Sequence, residues 1–257
     1  MFRFASLARP LARTAPLALA GVSLNFIAND TAKAGIDGVD VDSGIDPFPT
    51  QLTKSNCSVV NNVQKLIATG MRSVTFISFK VYAVGLYVPK NYESQIGKTV
   101  GLWSKETGKS PAELLEDKQT SQEMLAAMSE KLNYTIRITP VRNTDFGHLR
   151  DGFVKTILAC PLAKTKREEV AVGVEQLRDA FKGFKGSVPK NHSLYLVSEN
   201  STITMHYEGK NGDVKTLGKI TEPSISQVLF VSYFSSAKPI SEPLRKSFVS
   251  YVTATVN

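Results

Sequence analysis

The chain of 257 residues is poor in several of the side chains on which common functions depend. Its two cysteines, Cys57 and Cys160, exclude a disulfide-rich secreted scaffold, and their spacing resembles no zinc site. Three histidines leave little material for a multi-histidine metal centre. The longest uncharged stretch runs only from Thr14 to Asn29, which excludes a polytopic membrane protein. No GxSxG elbow, phosphate-binding Walker loop, GxGxxG turn, HExxH helix or EF-hand loop occurs. What remains is 42% hydrophobic and 21% charged, an ordinary globular composition whose length suits one or two domains.

Acidic residues are also missing from the first 29 positions, while Arg3, Arg9 and Arg13 interleave with Phe2, Phe4, Leu7 and Leu11. An arginine-rich, acid-free, amphipathic start is the pattern of a mitochondrial presequence, assigned to residues 1–29. The uncharged run within it, residues 15–28, is too short for a standard spanning helix and is interrupted by Asn25. It reads either as the presequence tail or as a marginal inner-membrane anchor that would leave the rest in the intermembrane space. Residues 30–47 bring Asp30, Asp37, Asp40, Asp42 and Asp46 with several glycines, an extended acidic linker. Residues 1–30 hold three arginines and one aspartate, and residues 31–50 one lysine and four aspartates. With a net charge of +8 overall, residues 51–257 therefore carry +9. Their lysines are scattered and do not alternate with aromatics, so no nucleic-acid partner is expected; solvated surface charge accounts for most of them.

From residue 48 onward the periodicities predict one α+β domain. A short strand is expected near Pro49–Lys54. Residues 70–88 are dense in β-branched and aromatic side chains up to Pro89, long enough for two strands or one bent one. Ser110-Pro111-Ala112-Glu113 reads as a capped helix start, with helical composition continuing to Leu132. Residues 133–141 read as a strand. Phe146, Leu149, Phe153 and Ile157 mark one helix face, and Val170, Val174, Leu177 and Phe181 another. Three strands follow (192–199, 202–209, 213–220), joined by Asn200-Ser201 and Lys210-Asn211-Gly212 turns. Two helices close the chain, from Glu222-Pro223 and from Pro243. Strands, helices, an antiparallel meander and more helices describe an antiparallel sheet packed against a layer of helices.

Candidate chemistry is sparse. Cys160-Pro161 is a dipeptide that can ligate haem iron, although Cys160 falls on the apolar face of its helix and suits a buried structural thiol. His148 reads as a solvated surface residue, His192 as exposed, and the strand face of His206 is open; His148, His206 and Cys160 are the candidate metal ligands. Arg72 stands apart. A guanidinium at the start of a buried-looking strand cannot lose its charge, so it needs either an acid partner or an anionic ligand.

Three segments carry a family resemblance: TGMRSVTFISFKVYAVGLYV (69–88), TDFGHLRDGF (144–153) and EPSISQVL (222–229). Together they resemble the chalcone isomerase family, and with the presequence its fungal mitochondrial branch, the altered-inheritance-of-mitochondria proteins. The resemblance implies the chalcone isomerase-like fold over residues 48–257. It puts Arg72 at the arginine that polarises substrate while a phenolate adds across an enone. Tyr82 then stands where the enzymes have a threonine that helps to order a water, and Phe146 where they have the partner tyrosine. Phe153 falls near a site asparagine, and Ser226 at a Ser/Thr position of the cleft. Phenylalanine has no hydroxyl, and losing one such donor costs roughly 2.7–4 kcal/mol of transition-state stabilisation. The resemblance therefore implies a non-catalytic mitochondrial protein that binds an amphipathic small-molecule ligand in an apolar cleft edged by Arg72. In that reading Phe146 and Phe153 form one apolar wall. Haem is the expected cofactor in such a cleft; a fatty acid is an alternative ligand, and a working intramolecular lyase built on Arg72 and Tyr82 the alternative activity.

Overall fold

Two long strands organise the domain. In the computed structural model, which describes residues 37–74 and 79–256, the apolar stretch after Gln64 forms a hairpin of two strands rather than one bent strand. In chain order the strands are β1 (Gly38–Val39), β2 (Phe48–Pro49), β3 (Gln51–Leu52), β4 (Gln64–Val74), β5 (Phe79–Pro89), β6 (Tyr134–Pro140), β7 (Thr144–Asp145), β8 (Ser187–Val188), β9 (Ser193–Glu199), β10 (Thr202–Glu208) and β11 (Val214–Ile220). The helices are α1 (Lys90–Thr107), α2 (Pro111–Glu116), α3 (Lys118–Lys131), α4 (Phe146–Ala159), α5 (Arg167–Lys182), α6 (Pro223–Phe234) and α7 (Glu242–Val256). Seven strands form an antiparallel sheet in the order β11-β10-β9-β6-β5-β4-β3.

Side-chain alternation divides the sheet into two faces. Tyr82, Val84 and Leu86 of β5, Tyr134, Ile136 and Ile138 of β6, and Leu194 and Leu196 of β9 point toward the helices and form the main core. Tyr87, Tyr195 and Val197 point the other way, into a smaller apolar cluster with Leu52, Cys57 and Val60. Helix α6 lies at the centre of the helical layer, and every residue from Ser224 to Phe234 is buried. This explains its lack of a polar stripe: a helix apolar on all sides is surrounded on all sides. Phe230 and Phe234 continue an aromatic column from Tyr134 to Phe248, with successive ring centroids 4.8–5.0 Å apart. Helix α7 crosses β4 so closely that a Cβ on Gly70 would lie 2.2 Å from the backbone nitrogen of Leu244. Only glycine permits that approach.

The described residues differ from the sequence expectations in three places. Helix α1 was not anticipated, because Gly97 and Gly101 dilute its helical composition; it forms by burying Ile96, Thr99 and Val100. The helix expected from Ser110 to Leu132 is divided at Asp117. There Asp117 donates its amide to the Glu113 carbonyl and accepts from the Thr120 amide at 2.7 Å, ending α2 and capping α3. The Ser110 start has the full reciprocal cap with Glu113. The third difference concerns the acidic linker, of which residues 37–47 are described and folded. Val39 pairs with Phe48, Ile45 is buried beside Phe48 and Ala83, and Asp42 makes a 2.7 Å ion pair with Lys80. Asp42 fastens this strap to the outer face of the sheet, so the domain begins before residue 48. The presequence assigned to 1–29, its segment 15–28 and residues 30–36 of the linker lie outside the described residues.

Candidate functional site

Arg72 sits near the end of β4, opposite Tyr82 of β5 in the strand register. The pairing brings both side chains to the helical face, and Arg72 Nη1 donates to the Tyr82 hydroxyl at 3.2 Å. The guanidinium carbon also lies 5.4 Å from the centre of the Tyr82 ring. Tyr82 in turn shares a hydrogen bond of 3.1 Å with the hydroxyl of Tyr233, which α6 holds fully buried. Because the guanidinium can only donate, Tyr82 accepts from it, and its own proton is free to go to Tyr233. Burial works against the charged guanidinium, but the Tyr82 and Tyr233 hydroxyls more than offset it and hold the Arg72 pKa above its ordinary value. Burial pushes the Tyr233 phenol well above the usual tyrosine range. The result is a permanent cation hydrogen-bonded to Tyr82, with the buried Tyr233 phenol behind it.

Beyond Arg72 opens a cavity of about 390 Å³, within the size range of small-molecule sites. Its walls come from the end of β4, the C-terminal turns of α4 and α6, Gln122 of α3 and the loop after α6. Lys155, Thr156 and Cys160 line it from one side, and Ser232, Ser235 and Lys238 from another. Val231, Ala159, Pro161, Pro239 and Ile240 make the remainder apolar. No aspartate or glutamate lines it, and Arg72, Lys155 and Lys238 take part in no ion pair among the described residues. An apolar slot with unneutralised cations and no acid is built to receive an anion with an apolar body.

The structure brings Arg72, Tyr82 and Cys160 to this region and takes the other candidates elsewhere. Phe146 and Phe153 do share a helix face, but that face turns toward the core. Phe146 packs on Phe184 and Tyr207, with ring centroids 5.6 and 5.0 Å away, and Phe153 on Phe181 at 6.3 Å. At 1.5 Å per residue, Phe146 also stands about 14–20 Å along α4 from the residues that line the cavity, Lys155 to Ala159. The expected Phe146–Phe153 wall beside Arg72 is therefore absent, and α5 and the sheet claim those rings. Ser226 is fully buried in the core, bonded to the Tyr134 hydroxyl at 3.0 Å and to Ser198 Oγ at 2.8 Å, away from the cavity lining. His148 is exposed and paired with Asp145 Oδ2 at 2.6 Å, as the surface reading expects. His206 lies on the outer face near Thr216 Oγ1, 3.1 Å away, and burial lowers its pKa; His192 bonds the Tyr207 hydroxyl. None of the three histidines lines the cavity. Cys160 is a free, buried thiol that ends α4 and contributes to the wall. Among the described residues no group of three histidines, cysteines or acids could hold a metal ion.

Sequence reasoning missed Tyr233, Lys155 and Lys238. Tyr233 carries no local signal, since its role depends on where α6 meets β5. Lys238, in the SSAKP segment after α6, was visible only as a lysine among many.

A family model described as "Chalcone isomerase like" matches residues 62–249. The chain belongs to the chalcone isomerase-like family. Its similarity to "Altered inheritance of mitochondria protein 18, mitochondrial" is 40% identity in Debaryomyces hansenii, over 90% of this chain and 82% of the relative. For the proteins of that name in Kluyveromyces lactis and Saccharomyces cerevisiae, identity is 36% and 31%. The coverage is 91% and 86% of this chain, and 78% and 73% of theirs. The fold is similar to that of a fatty-acid binding protein from Arabidopsis thaliana, with a TM-score of 0.63 and 18% identity, covering 86% of this chain and 99% of that one. The family match falls on the hairpin that carries Arg72 and Tyr82 and on the helices that enclose the cavity.

Proposed function

We propose that this chalcone isomerase-like protein is a mitochondrial, non-catalytic carrier or sensor of an amphipathic anion, with Arg72 as the anion contact. The observation that carries the reading is the position of Arg72. It is a charged side chain with no acid partner among the described residues, supported from behind by Tyr82 and Tyr233 and opening on an apolar cavity of about 390 Å³. A fatty acid suits such a slot, with its carboxylate on the guanidinium and its chain against Val231, Ala159 and Ile240. The likeness in fold to a fatty-acid binding protein from Arabidopsis supports the same choice of ligand. The mitochondrial location rests on the acid-free start and on the names of the yeast relatives. Inner-membrane association, or an intermembrane-space location, is the extension of that reading to the uncharged run at 15–28. No helix among the described residues is long and apolar enough to cross a membrane.

Haem is the second reading, and Cys160 is the observation in its favour. A thiol and a guanidinium face one cavity, so Cys160 would hold the iron and Arg72 a propionate, while the histidines stand elsewhere. Catalysis as an intramolecular lyase ranks lower. The Tyr82 hydroxyl is already engaged by Arg72 and Tyr233, and Phe146 itself offers no hydroxyl.

Fluorescent fatty-acid displacement and haem titration on the wild type, Arg72→Ala and Cys160→Ser test these readings. Arg72→Ala should weaken fatty-acid binding by about tenfold or more, the value of a hydrogen bond to a charged group. Unchanged affinity in Arg72→Ala overturns the assignment. A Soret band that is lost in Cys160→Ser favours haem instead. Turnover of a chalcone by the wild type would contradict the non-catalytic reading.

A further inference from the structure

The cavity holds more positive charge than one carboxylate requires. Arg72, Lys155 and Lys238 supply three formal charges, and among the described residues no acid lines the walls. Two opposing contributions come from the helices. Both α4 and α6 end at the cavity, through Ala159 and Cys160 on one side and Ser232 and Ser235 on the other. A helix C-terminus is equivalent to about half a negative charge, so the two together offset about one of the three cations. A surplus of about two positive charges remains around an apolar slot.

On that balance we propose, building on the amphipathic-anion reading above, that the preferred ligand has a dianionic head group, of the phosphate-monoester class, on a single apolar chain. Arg72 takes one head-group oxygen at the inner end, and Lys155 and Lys238 at the exposed rim take the others. The hydroxyl of Ser73 and the amide of Gln122 line the same cavity and can help to complete a tetrahedral head group that offers more acceptors than a carboxylate does. A competing account treats the two lysines as solvated side chains that merely offset the helix ends. That role would appear in stability and not in ligand choice.

Decyl phosphate and decyl sulfate separate these accounts, since they share chain length and tetrahedral shape and differ in charge. The full-length protein is titrated calorimetrically with each at pH 8, below micelle-forming concentrations, as wild type and as Lys155→Gln/Lys238→Gln. Both lysines are exposed, so glutamine at these positions leaves the core intact. The wild type should prefer the phosphate by about tenfold, as expected of two rim ion pairs. The double variant should lose that preference, its affinity falling by about tenfold more for the phosphate than for the sulfate. The wild-type preference should also fade at pH 5, where a phosphate monoester with a second pKa of about 6 is singly charged. Equal binding of phosphate and sulfate by the wild type overturns the proposal, as does a preference that survives in the double variant. Binding of neither amphiphile overturns the parent reading and this one together; binding of both alike leaves the parent reading standing and removes only this one. A double variant that melts lower but keeps the wild-type ligand preference assigns the lysines to the helix ends.

Discussion

On the outer face of the sheet Arg137 is sealed, whereas on the helical face Arg72 is half open, and neither makes an ion pair among the described residues. Arg137, on β6, is only 8% exposed. Its guanidinium lies 4.4 Å from the centre of the Phe48 ring and 5.9 Å from that of Tyr195, and its Nε donates to Ser193 Oγ at 3.1 Å. Burial opposes its charge, and the neighbouring phenols of Tyr195 and Tyr87, with Glu208, more than offset that. Everything around Arg137 is closed by the strap that carries Phe48. Arg72 has a similar aromatic support in Tyr82 but no strap, and the free side of its guanidinium opens on the cavity. A partnerless arginine is therefore not by itself evidence of a binding site; what covers it decides between a structural and a functional role.

The largest expected effect tests the sealed member. Arg137→Ala removes a desolvated cation from between two rings and leaves a void beneath Phe48, which should lower unfolding stability by about 3 kcal/mol in urea titration. Arg137→Met, which keeps the stem without the charge, should recover most of that loss, and neither variant should change fatty-acid affinity. Loss of binding in either would break the contrast between the two faces. Arg72→Ala should do the reverse, with weakened binding and a stability change of less than about 1 kcal/mol, because its head is already partly solvated. Tyr82→Phe comes next. It removes the acceptor for Arg72 and leaves the buried Tyr233 hydroxyl without its partner, so thermal denaturation should report a loss of about 1–2 kcal/mol. Smallest is the effect of acid on the strap. The Lys80 hydrogen bond and the Gly44 amide hold Asp42 below its ordinary value of 3.8. A depressed carboxylate pKa contributes stability above the unfolded value and loses it as pH falls through the folded one. Hydrogen exchange at residues 38–49 should therefore stay slow above about pH 4, relative to the intrinsic rate, and lose protection below it. Asp42→Asn should already be less protected at pH 7 and should lack the acid step; an acid step that persists in this variant assigns the transition to another group.

Much of the architecture was legible because it is repetitive. The β9-β10-β11 meander announces itself through alternation and through Asn200, Ser201, Asn211 and Gly212, all of which adopt positive φ. Helices α4 and α5 follow from apolar residues at helical spacing, and Ser110 and Asp145 cap helices as their positions suggest. The site was legible only in its first residue. Arg72 stood out because a charge in an apolar strand must be compensated; Tyr82 was named only through the family resemblance, and the register that sets it opposite Arg72 belongs to the folded hairpin. Phe146 and Phe153 misled for a physical reason: helical periodicity says which residues share a face, but not which neighbour that face meets.

Local chemistry in the sequence determined the strands, most helices, the caps, the turns and the presence of an arginine in need of a partner. Tertiary packing decided the rest. It folded the acidic segment onto the sheet, buried α6 on every side, placed Tyr233 behind Tyr82, and set Lys155 and Lys238 beside Arg72 across nearly 170 residues of chain. Periodicity and capping act over a few residues and can be read along the chain. A cavity and its charge are set by side chains far apart in sequence, whose approach depends on how whole elements pack.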